Sequence, residues 1–326
     1  FAEVLQGIPQ TISAEMNRKL TREVSEQEIY QAVLSMQPNK SPGPDGMSPS
    51  FFQKFWQIVK SDIVQAVQSF FHSGFLLKSV NETLISLIPK LDSPTSVTEY
   101  RPISLCNVSY KIIAKVLTNR FKSVLKHCIS DSQSAFVPGR QILDNVFIAH
   151  ESVHFLKNKR TGKDSYMAVK LDMSKTYDRV EWGLLTKLME KMGFCTKWIQ
   201  WVMECVTSVT YSVNINGEKI GFIRPSRGLR QRDPLSPYLF LICAEGFSSL
   251  IKQANNQGNL TGLRIARGAP CLSHLFFADD SLIFCKASGE EAGQLRRILD
   301  VYRKASGQLI NMEKSSLFFS RNVSQR

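Results

Sequence analysis

Two adjacent carboxylates interrupt an apolar run near the end of the chain, in the segment HLFFADDSLIF. Asp279 and Asp280 lie between flanks that have the composition of short buried strands. Because burying an unpaired charge is costly, this pattern favours a hairpin whose tip carries the two acids to an edge of its sheet. The remaining question is what neutralises them there.

A second strand also ends on an acid, since YMAVKLD ends at Asp172. If this strand pairs with the hairpin, three carboxylates converge, and such a group repels itself unless divalent cations neutralise it. Hard oxygen ligands suit Mg²⁺ or Mn²⁺. Two such ions, roughly 3.5–4 Å apart, form the clamp used for in-line attack on a phosphate. We therefore expect Asp172, Asp279 and Asp280 to be catalytic ligands of two Mg²⁺ (or Mn²⁺) ions, although acids at hairpin tips and strand ends are also common without any chemistry.

The chain carries a formal net charge of +13 and has a pI of about 9.4. Such an excess favours a polyanionic partner, either nucleic acid or an anionic membrane surface, over a merely solvated basic face. The longest apolar run, YLFLICA, is too short to span a bilayer. We expect nucleic acid, and no membrane, as the partner. Seven scattered cysteines without zinc-ligand spacing are typical of reduced thiols in an intracellular protein.

The segment HESVH matches the HExxH zinc signature, with His150 and His154 as ligands and Glu151 as general base. We reject this interpretation, because no nearby third ligand follows and the pattern is short. The surrounding apolar positions instead predict an ordinary packing helix over residues 144–158.

Apolar spacing and turn residues predict alternating short strands and helices, which is an α/β or α+β arrangement with a small sheet packed on helices. Ser25 and Glu28 predict a capping box at the start of the first clear helix. Pro and Gly exclude regular structure from residues 38–49. The predicted helices cover residues 26–36, 50–71, 110–128, 144–158, 182–192, 234–254 and 294–306. The predicted strands cover residues 83–90, 166–172 and 211–218, the two arms of the hairpin HLFFADDSLIF, and the last apolar run of the chain.

The chain resembles the reverse transcriptase domain of non-LTR (LINE-type) retrotransposons, most closely the plant lineages. The resemblance rests on the motifs FADD, AVKLDMSKTYDRVEW and RGLRQRDPLSPYLF, together with PNKSPGPDG, LIPK, YRPISLCNVSYKIIAKVLTNR, SQSAFVPGRQILDNV and SGQLINMEKS. It implies a right-hand polymerase with fingers and a small, mostly antiparallel palm sheet, the thumb being largely missing. It also implies an RNA-directed DNA polymerase that joins dNTPs to a primer 3′-hydroxyl.

The resemblance further assigns roles to single residues. Asp172 and Asp279 would be the metal-binding aspartates, with Asp280 beside them, and Tyr177 would be the steric gate that excludes a 2′-hydroxyl. The remaining nucleotide-binding positions would be Arg101 and Lys90 as triphosphate contacts, Gln231 in the nucleotide pocket, and Lys314 as a proton donor to pyrophosphate.

Two positions depart from the family pattern. Arg232 replaces a glycine that lets the backbone approach the template–nucleotide pair, and Thr176 replaces an alanine just before the gate. Both changes suggest impaired polymerase activity, so the alternative function is a catalytically decayed remnant that still binds nucleic acid. Restoring glycine at position 232 should then raise DNA synthesis on an RNA template.

We expect three regions: an N-terminal helical extension (residues 1–80), the fingers and palm (81–320) and a truncated tail (321–326). The expected partners are an RNA template, a DNA primer or nicked target DNA, and dNTPs, which implies work in the nucleus. We expect the segment to be a polymerase core from a longer polyprotein or a truncated gene. A group II intron maturase or an LTR-type polymerase fits less well, because the segments that accompany those enzymes are not seen; the oligomeric state stays open.

Overall fold

A computed structural model describes residues 1–323 and contains eleven α-helices and ten strands within them. The helices are α1 (Ala2–Gln6), α2 (Ala14–Leu20), α3 (Glu26–Leu34), α4 (Pro49–Lys54), α5 (Trp56–Ser73), α6 (Val108–Cys128), α7 (Ile142–Asn158), α8 (Trp182–Met192), α9 (Thr196–Thr207), α10 (Ser236–Asn256) and α11 (Gly289–Ser306). The strands are β1 (Glu82–Pro89), β2 (Tyr100–Cys106), β3 (Tyr166–Leu171), β4 (Met173–Ser174), β5 (Thr210–Ile215), β6 (Glu218–Ile223), β7 (His274–Phe277), β8 (Asp280–Lys286), β9 (Leu309–Ile310) and β10 (Ser316–Phe319).

Helix ends follow the local sequence signals. The predicted capping box is confirmed, since Ser25 Oγ accepts the amide of Glu28 at 3.2 Å and Glu28 accepts the amide of Ser25 at 3.4 Å. Helix α8 ends where Gly193 takes a left-handed conformation, with φ 94°. Helix α11 begins five residues before its predicted start, because Ser288 caps the amide of Glu291.

Two further helix predictions differ from the structure. The predicted helix over residues 50–71 is broken at Phe55 into α4 and α5, and no Gly or Pro marks that break in the sequence. The predicted start of α10 at Pro234 is wrong by two residues. Asp233 instead accepts the amide of Leu235 at 2.8 Å, which closes a turn before α10 begins at Ser236.

The first compact unit comprises Phe1–Thr11, Val124–Gly193 and the described chain from Leu239 onward. Its sheet has the order β10-β3-β8-β7 and is antiparallel throughout, as predicted for the small sheet. One face packs on α7 through a cluster of buried apolar residues: Leu156, Ala168, Leu263, Leu275 and Phe284. From α10, Phe247 stacks on Phe276 of β7 with centroids 5.4 Å apart and on Tyr302 of α11 at 4.8 Å.

The second compact unit comprises Ile12–Ser123 and Phe194–Tyr238. Its sheet has the order β2-β1-β5-β6, in which β1 and β5 are parallel and the other pairs are antiparallel. Pro102 is accommodated in β2 because β2 lies at an edge of the sheet. The loop of residues 38–48 is irregular, as predicted, and Gly43 lies so close to Asn107 that a Cβ would be 2.3 Å from the Asn107 amide nitrogen.

A buried arginine fixes the helical part of this unit. Arg120 of α6 has 4% of its side chain exposed and forms a two-bond pair with Glu28, at 3.0 and 3.1 Å. Its remaining N–H groups donate to the carbonyls of Leu20, Arg22 and Glu23. Every donor of the guanidinium is therefore used within the protein.

No helix among residues 1–323 is both long enough and apolar enough to cross a membrane.

Candidate active site

The ends of two paired strands bring the predicted acids to one place in the first unit. Strands β3 and β8 are antiparallel with Leu171 opposite Ser281, so the residues next to that pair, Asp172 and Asp280, lie at the same end. Leu171 and Ser281 are buried, whereas Asp280 is exposed and Asp172 is half-buried. Because neighbouring residues of a strand face opposite sides, the two acids share the face away from the buried pair.

Asp279 lies in the two-residue turn that joins β7 to β8, since Phe277 pairs with Asp280. The first turn residue, Ala278, has φ 53°. Two-residue hairpins require this left-handed conformation, which costs a residue with a Cβ about 1–2 kcal/mol relative to the right-handed region. The turn that presents the acids is therefore strained and needs support from its surroundings.

Thr176 contacts Asp279 directly. Its hydroxyl lies 3.3 Å from Asp279 Oδ2 and 3.2 Å from the carbonyl oxygen of Met173, and it has one hydrogen to share between them. Thr176 is 5% exposed and has ordinary helical backbone angles. The methyl and hydroxyl groups that distinguish it from alanine are therefore accommodated beneath the acid.

Tyr177 follows Thr176 in a short 3-10 turn and is half-buried. Its ring stacks on Phe240 with centroids 5.4 Å apart and planes inclined by 26°. Burial, together with the charge of Asp279, raises the pKa of the Tyr177 hydroxyl to about 12, so it stays protonated at neutral pH. The predicted gate residue thus lies close to the acidic turn with a fixed ring.

Lys314 lies in an exposed turn that is fastened to Asp172. The amide of Asn311 donates to the carbonyl of Asp172 at 2.8 Å, and Ser315 Oγ accepts the amide of Asp172 at 3.2 Å. The lysine is therefore held on a turn attached to a predicted metal ligand.

The other predicted nucleotide contacts belong to the second unit. Lys90 follows β1 and donates to the carbonyl of Thr98 at 2.8 Å, while Arg101 is exposed on β2, opposite Ile88 of β1. Gln231 is half-buried and Arg232 is exposed in the turn before α10. Arg232 has φ 66°, the conformation that glycine adopts without strain.

The described residues contain no cluster of three or more His, Cys, Asp or Glu side chains drawn together as a metal site. The donor chemistry nevertheless fits a hard divalent cation, because Asp172 and Asp280 share one strand end and Asp279 lies in the adjoining turn, all offering carboxylate oxygens. His150 and Glu151 of the rejected zinc motif have strongly exposed side chains on α7.

Two glutamines that the sequence reasoning missed support this site. Gln133 is 2% exposed, and its side-chain amide donates to the carbonyl of Ala278 and accepts from the N–H of Ala278. Gln308 is 3% exposed and donates to the carbonyl of Thr176 at 2.8 Å. Both glutamines lie in motifs that carry the family resemblance, SQSAFVPGR and SGQLINMEKS. That resemblance was the sequence signal that could have identified them.

Comparison with known proteins gives a direct result for this site. The sequence model of the reverse transcriptase (RNA-dependent DNA polymerase) family matches residues 88–324, which include all three acids. The chain belongs to the reverse transcriptase family. Members of this family synthesise DNA on a nucleic-acid template from dNTPs, and they generally use divalent metal ions.

Several curated proteins are similar to this chain. The Transposon TX1 uncharacterized 149 kDa protein of Xenopus laevis is 32% identical over 314 residues, covering 96% of this chain and 23% of that protein. A Pol polyprotein from type-1 retrotransposable element R2 of Nasonia vitripennis is 25% identical over 86% of this chain and 26% of its own length. The RNA-directed DNA polymerase from mobile element jockey of Drosophila melanogaster is 26% identical over 68% of this chain and 24% of its own length.

These matches confirm the predicted resemblance to non-LTR retrotransposon reverse transcriptases, the fold class and the predicted activity class. This chain spans about a quarter of the length of those relatives. The individual site residues, the boundaries at residues 80 and 320, and the nuclear location stay predictions.

Proposed function

We propose that this chain is the polymerase core of a LINE-type retroelement, which extends a DNA primer on an RNA template. The observation that carries the proposal is the β3–β8 register, which sets Asp172 beside Asp280 with Asp279 in the adjoining turn. Asp172 by itself would be a single acid at a strand end, whereas the strand pairing puts three carboxylate residues at the same end of the sheet.

Asp172, Asp279 and Asp280 would hold two Mg²⁺ or Mn²⁺ ions. When bound, these ions supply activation of the primer hydroxyl and neutralisation of phosphate charge. The ring of Tyr177, fixed against Phe240, excludes a 2′-hydroxyl from the sugar position.

Arg101 and Lys90 supply cations for the triphosphate, and Gln231 lines the nucleotide pocket. Lys314, on the turn fastened to Asp172, donates a proton to the departing pyrophosphate. The primer would be nicked target DNA in the nucleus, which is what the resemblance to non-LTR retrotransposons implies.

Primer extension tests this proposal. Purified protein is given poly(rA)/oligo(dT), dTTP and Mg²⁺ or Mn²⁺, beside an Asp279→Asn variant that keeps the side-chain shape. We expect extension by the unaltered chain and at least about a thousandfold less by the variant. Tight template binding without extension in either metal would overturn the proposal in favour of the noncatalytic remnant.

A further inference from the structure

The loop before α7 forms a support for the acidic turn. Its residues run parallel to β7, because the amide of Phe276 donates to the carbonyl of Ser132 at 2.7 Å and the amide of Ser134 donates to the carbonyl of Phe276 at 3.2 Å. Asn145 of α7 adds a third bond, from its side-chain amide to the carbonyl of Phe276 at 2.9 Å. The backbone entering the turn is thus fixed up to two residues before Ala278.

Gln133 continues this ladder with its side chain. Its Nε2 donates to the carbonyl of Ala278 at 3.2 Å, and its Oε1 accepts the amide of Ala278 at 3.0 Å. The same Oε1 also accepts the amide of Ala135 at 3.0 Å, which fixes the carboxamide in its own loop. The carboxamide therefore pairs with both polar groups of the one turn residue that has a left-handed φ.

Arg140 holds in place the loop that carries Gln133. Its guanidinium donates to the carbonyl of Gln133 and to that of Ser130, both at 2.6 Å, and to the carbonyl of Ile129 at 2.9 Å. Gln133 cannot withdraw from the turn without breaking these contacts or leaving its buried amide unpaired, and either change is unfavourable.

We propose that Gln133 is a positioning residue for polymerisation: it holds the Ala278 peptide left-handed and thereby fixes where Asp279 and Asp280 present their carboxylates. A flexible turn would let the two carboxylates adopt several orientations. Part of the free energy of cation binding would then be used to order them. This inference rests on the proposed function, which is the reason to expect a cation at the turn.

The test uses Gln133→Met, which keeps the side-chain length and removes all three hydrogen bonds. Mn²⁺ affinity is measured by electron paramagnetic resonance of the free ion, and turn opening by amide hydrogen exchange of residues 276–280. We expect Mn²⁺ binding to weaken about tenfold and exchange in the turn to accelerate at least about tenfold. The matched control is Gln53→Met, since Gln53 also donates to two backbone carbonyls, those of Val33 and Met36, in the other unit.

Rescue by glycine separates positioning from general stability. Ala278→Gly relieves the left-handed strain but leaves the turn flexible, so in the Gln133→Met background we expect part of the lost Mn²⁺ affinity to return. Ala278→Val perturbs the same half-exposed turn without touching the buried loop, and should weaken Mn²⁺ binding as Gln133→Met does.

Unchanged Mn²⁺ affinity in both Gln133→Met and Ala278→Val, or no rescue by Ala278→Gly, would overturn the positioning role. These outcomes are distinct from failure of the proposed function, in which the unaltered chain itself would neither retain Mn²⁺ nor extend a primer. In that case hydrogen exchange would still decide whether Gln133 holds the turn, and equal exchange rates in the unaltered chain and the variant would refute it.

Discussion

Glu28 in the second unit and Asp279 in the first are both carboxylates, but their surroundings differ sharply. Glu28 accepts bonds from the buried Arg120 and a further contact from Arg22 at 3.1 Å. Asp279 is exposed, and its described side-chain contact is the long bond from Thr176. A carboxylate whose lone pairs are filled by arginine stabilises a fold, whereas one with open lone pairs on a strained turn is available to a ligand.

The same contrast extends to the neighbouring groups. In the second unit, Arg230 and Asp233 are both buried, and Tyr110 donates to Asp233 while its ring lies 4.1 Å from the Arg230 guanidinium carbon. In the first unit, Asp172 and Asp280 share a strand end, and no described cation pairs with either of them. We therefore expect charge removal to lower stability in the second unit and activity in the first.

The largest expected effect is on catalysis. Asp172→Asn should lower primer extension by about a thousandfold, because an amide binds a hard cation poorly. The unfolding midpoint should stay the same or rise, since a repulsive charge is lost. Asp300→Asn on α11, a solvent-facing acid of the same unit, is the control and should leave extension unchanged. A large stability loss in Asp172→Asn would break the contrast.

Next comes the buried arginine. Arg120→Met should lower the free energy of unfolding by about 3–5 kcal/mol, because Glu28 and three carbonyls lose their donors. Arg120→Lys restores the charge but not the planar fork, and should recover part of that loss. Urea denaturation measures both. If Arg120→Met were as stable as the unaltered chain, the arginine would not be a structural anchor.

Tyr177→Val tests the half-buried ring beside the acids. Without the ring, ribonucleotide use relative to deoxynucleotide use should rise about 10- to 100-fold, since exclusion by shape is worth a few kcal/mol at most. Competing rUTP and dTTP on poly(rA)/oligo(dT) gives the ratio. Tyr177→Phe serves as control and should keep the selectivity of the unaltered chain; a similar ratio in all three would remove the gate assignment.

Acid should weaken the second unit through Glu28. Burial would raise the pKa of this carboxyl, but hydrogen bonds and charges from Arg120 and Arg22 outweigh burial and hold the pKa below its ordinary 4.5. The resulting stabilisation is present above the ordinary pKa and is lost as the pH falls through the lowered one. Comparing urea unfolding near neutral pH with unfolding below pH 4.5, in the unaltered chain and Glu28→Gln, isolates this contribution. Equal pH slopes in the two proteins would contradict it.

The smallest effect is expected at Arg232, whose backbone is left-handed within the motif RGLRQRDPLSPYLF. Arg232→Gly should raise the free energy of unfolding by about 0.5–1 kcal/mol, the relief of strain being partly offset by the freer unfolded chain. It should also raise DNA synthesis on an RNA template. Thermal denaturation and the extension assay measure the two, and a drop in both would show that the arginine side chain is itself useful.

Much of this molecule follows from local sequence signals. The capping box at Ser25, the stop at Gly193 and the two-residue hairpin at Asp279 each depend on residues a few positions apart. The break at Phe55 escaped prediction, because apolar spacing continues across it without a Gly or Pro.

From residue type alone, the sequence suggests only the acids of the candidate site. Asp172, Asp279 and Asp280 carry their chemistry in their side chains, so a hypothesis about cations could begin from residue type alone. Gln133 has no such chemistry, and its importance comes from a contact 145 positions along the chain. Such partners depend on tertiary packing, which periodicity and turn signals do not encode.

The pairing of β3 with β8 also determines when this sheet can form during biosynthesis. When β3 has been synthesised, its partner strand β8 is still about 110 residues from being translated, and β10 follows later still. At about 5–20 residues per second, the nascent β3 waits roughly 5–20 s with both edges open. The three apolar residues at its centre, Met167 to Val169, are a ready target for chaperones during that interval. An mRNA cut short before the codon for Asp280 would yield a polypeptide that never closes this sheet.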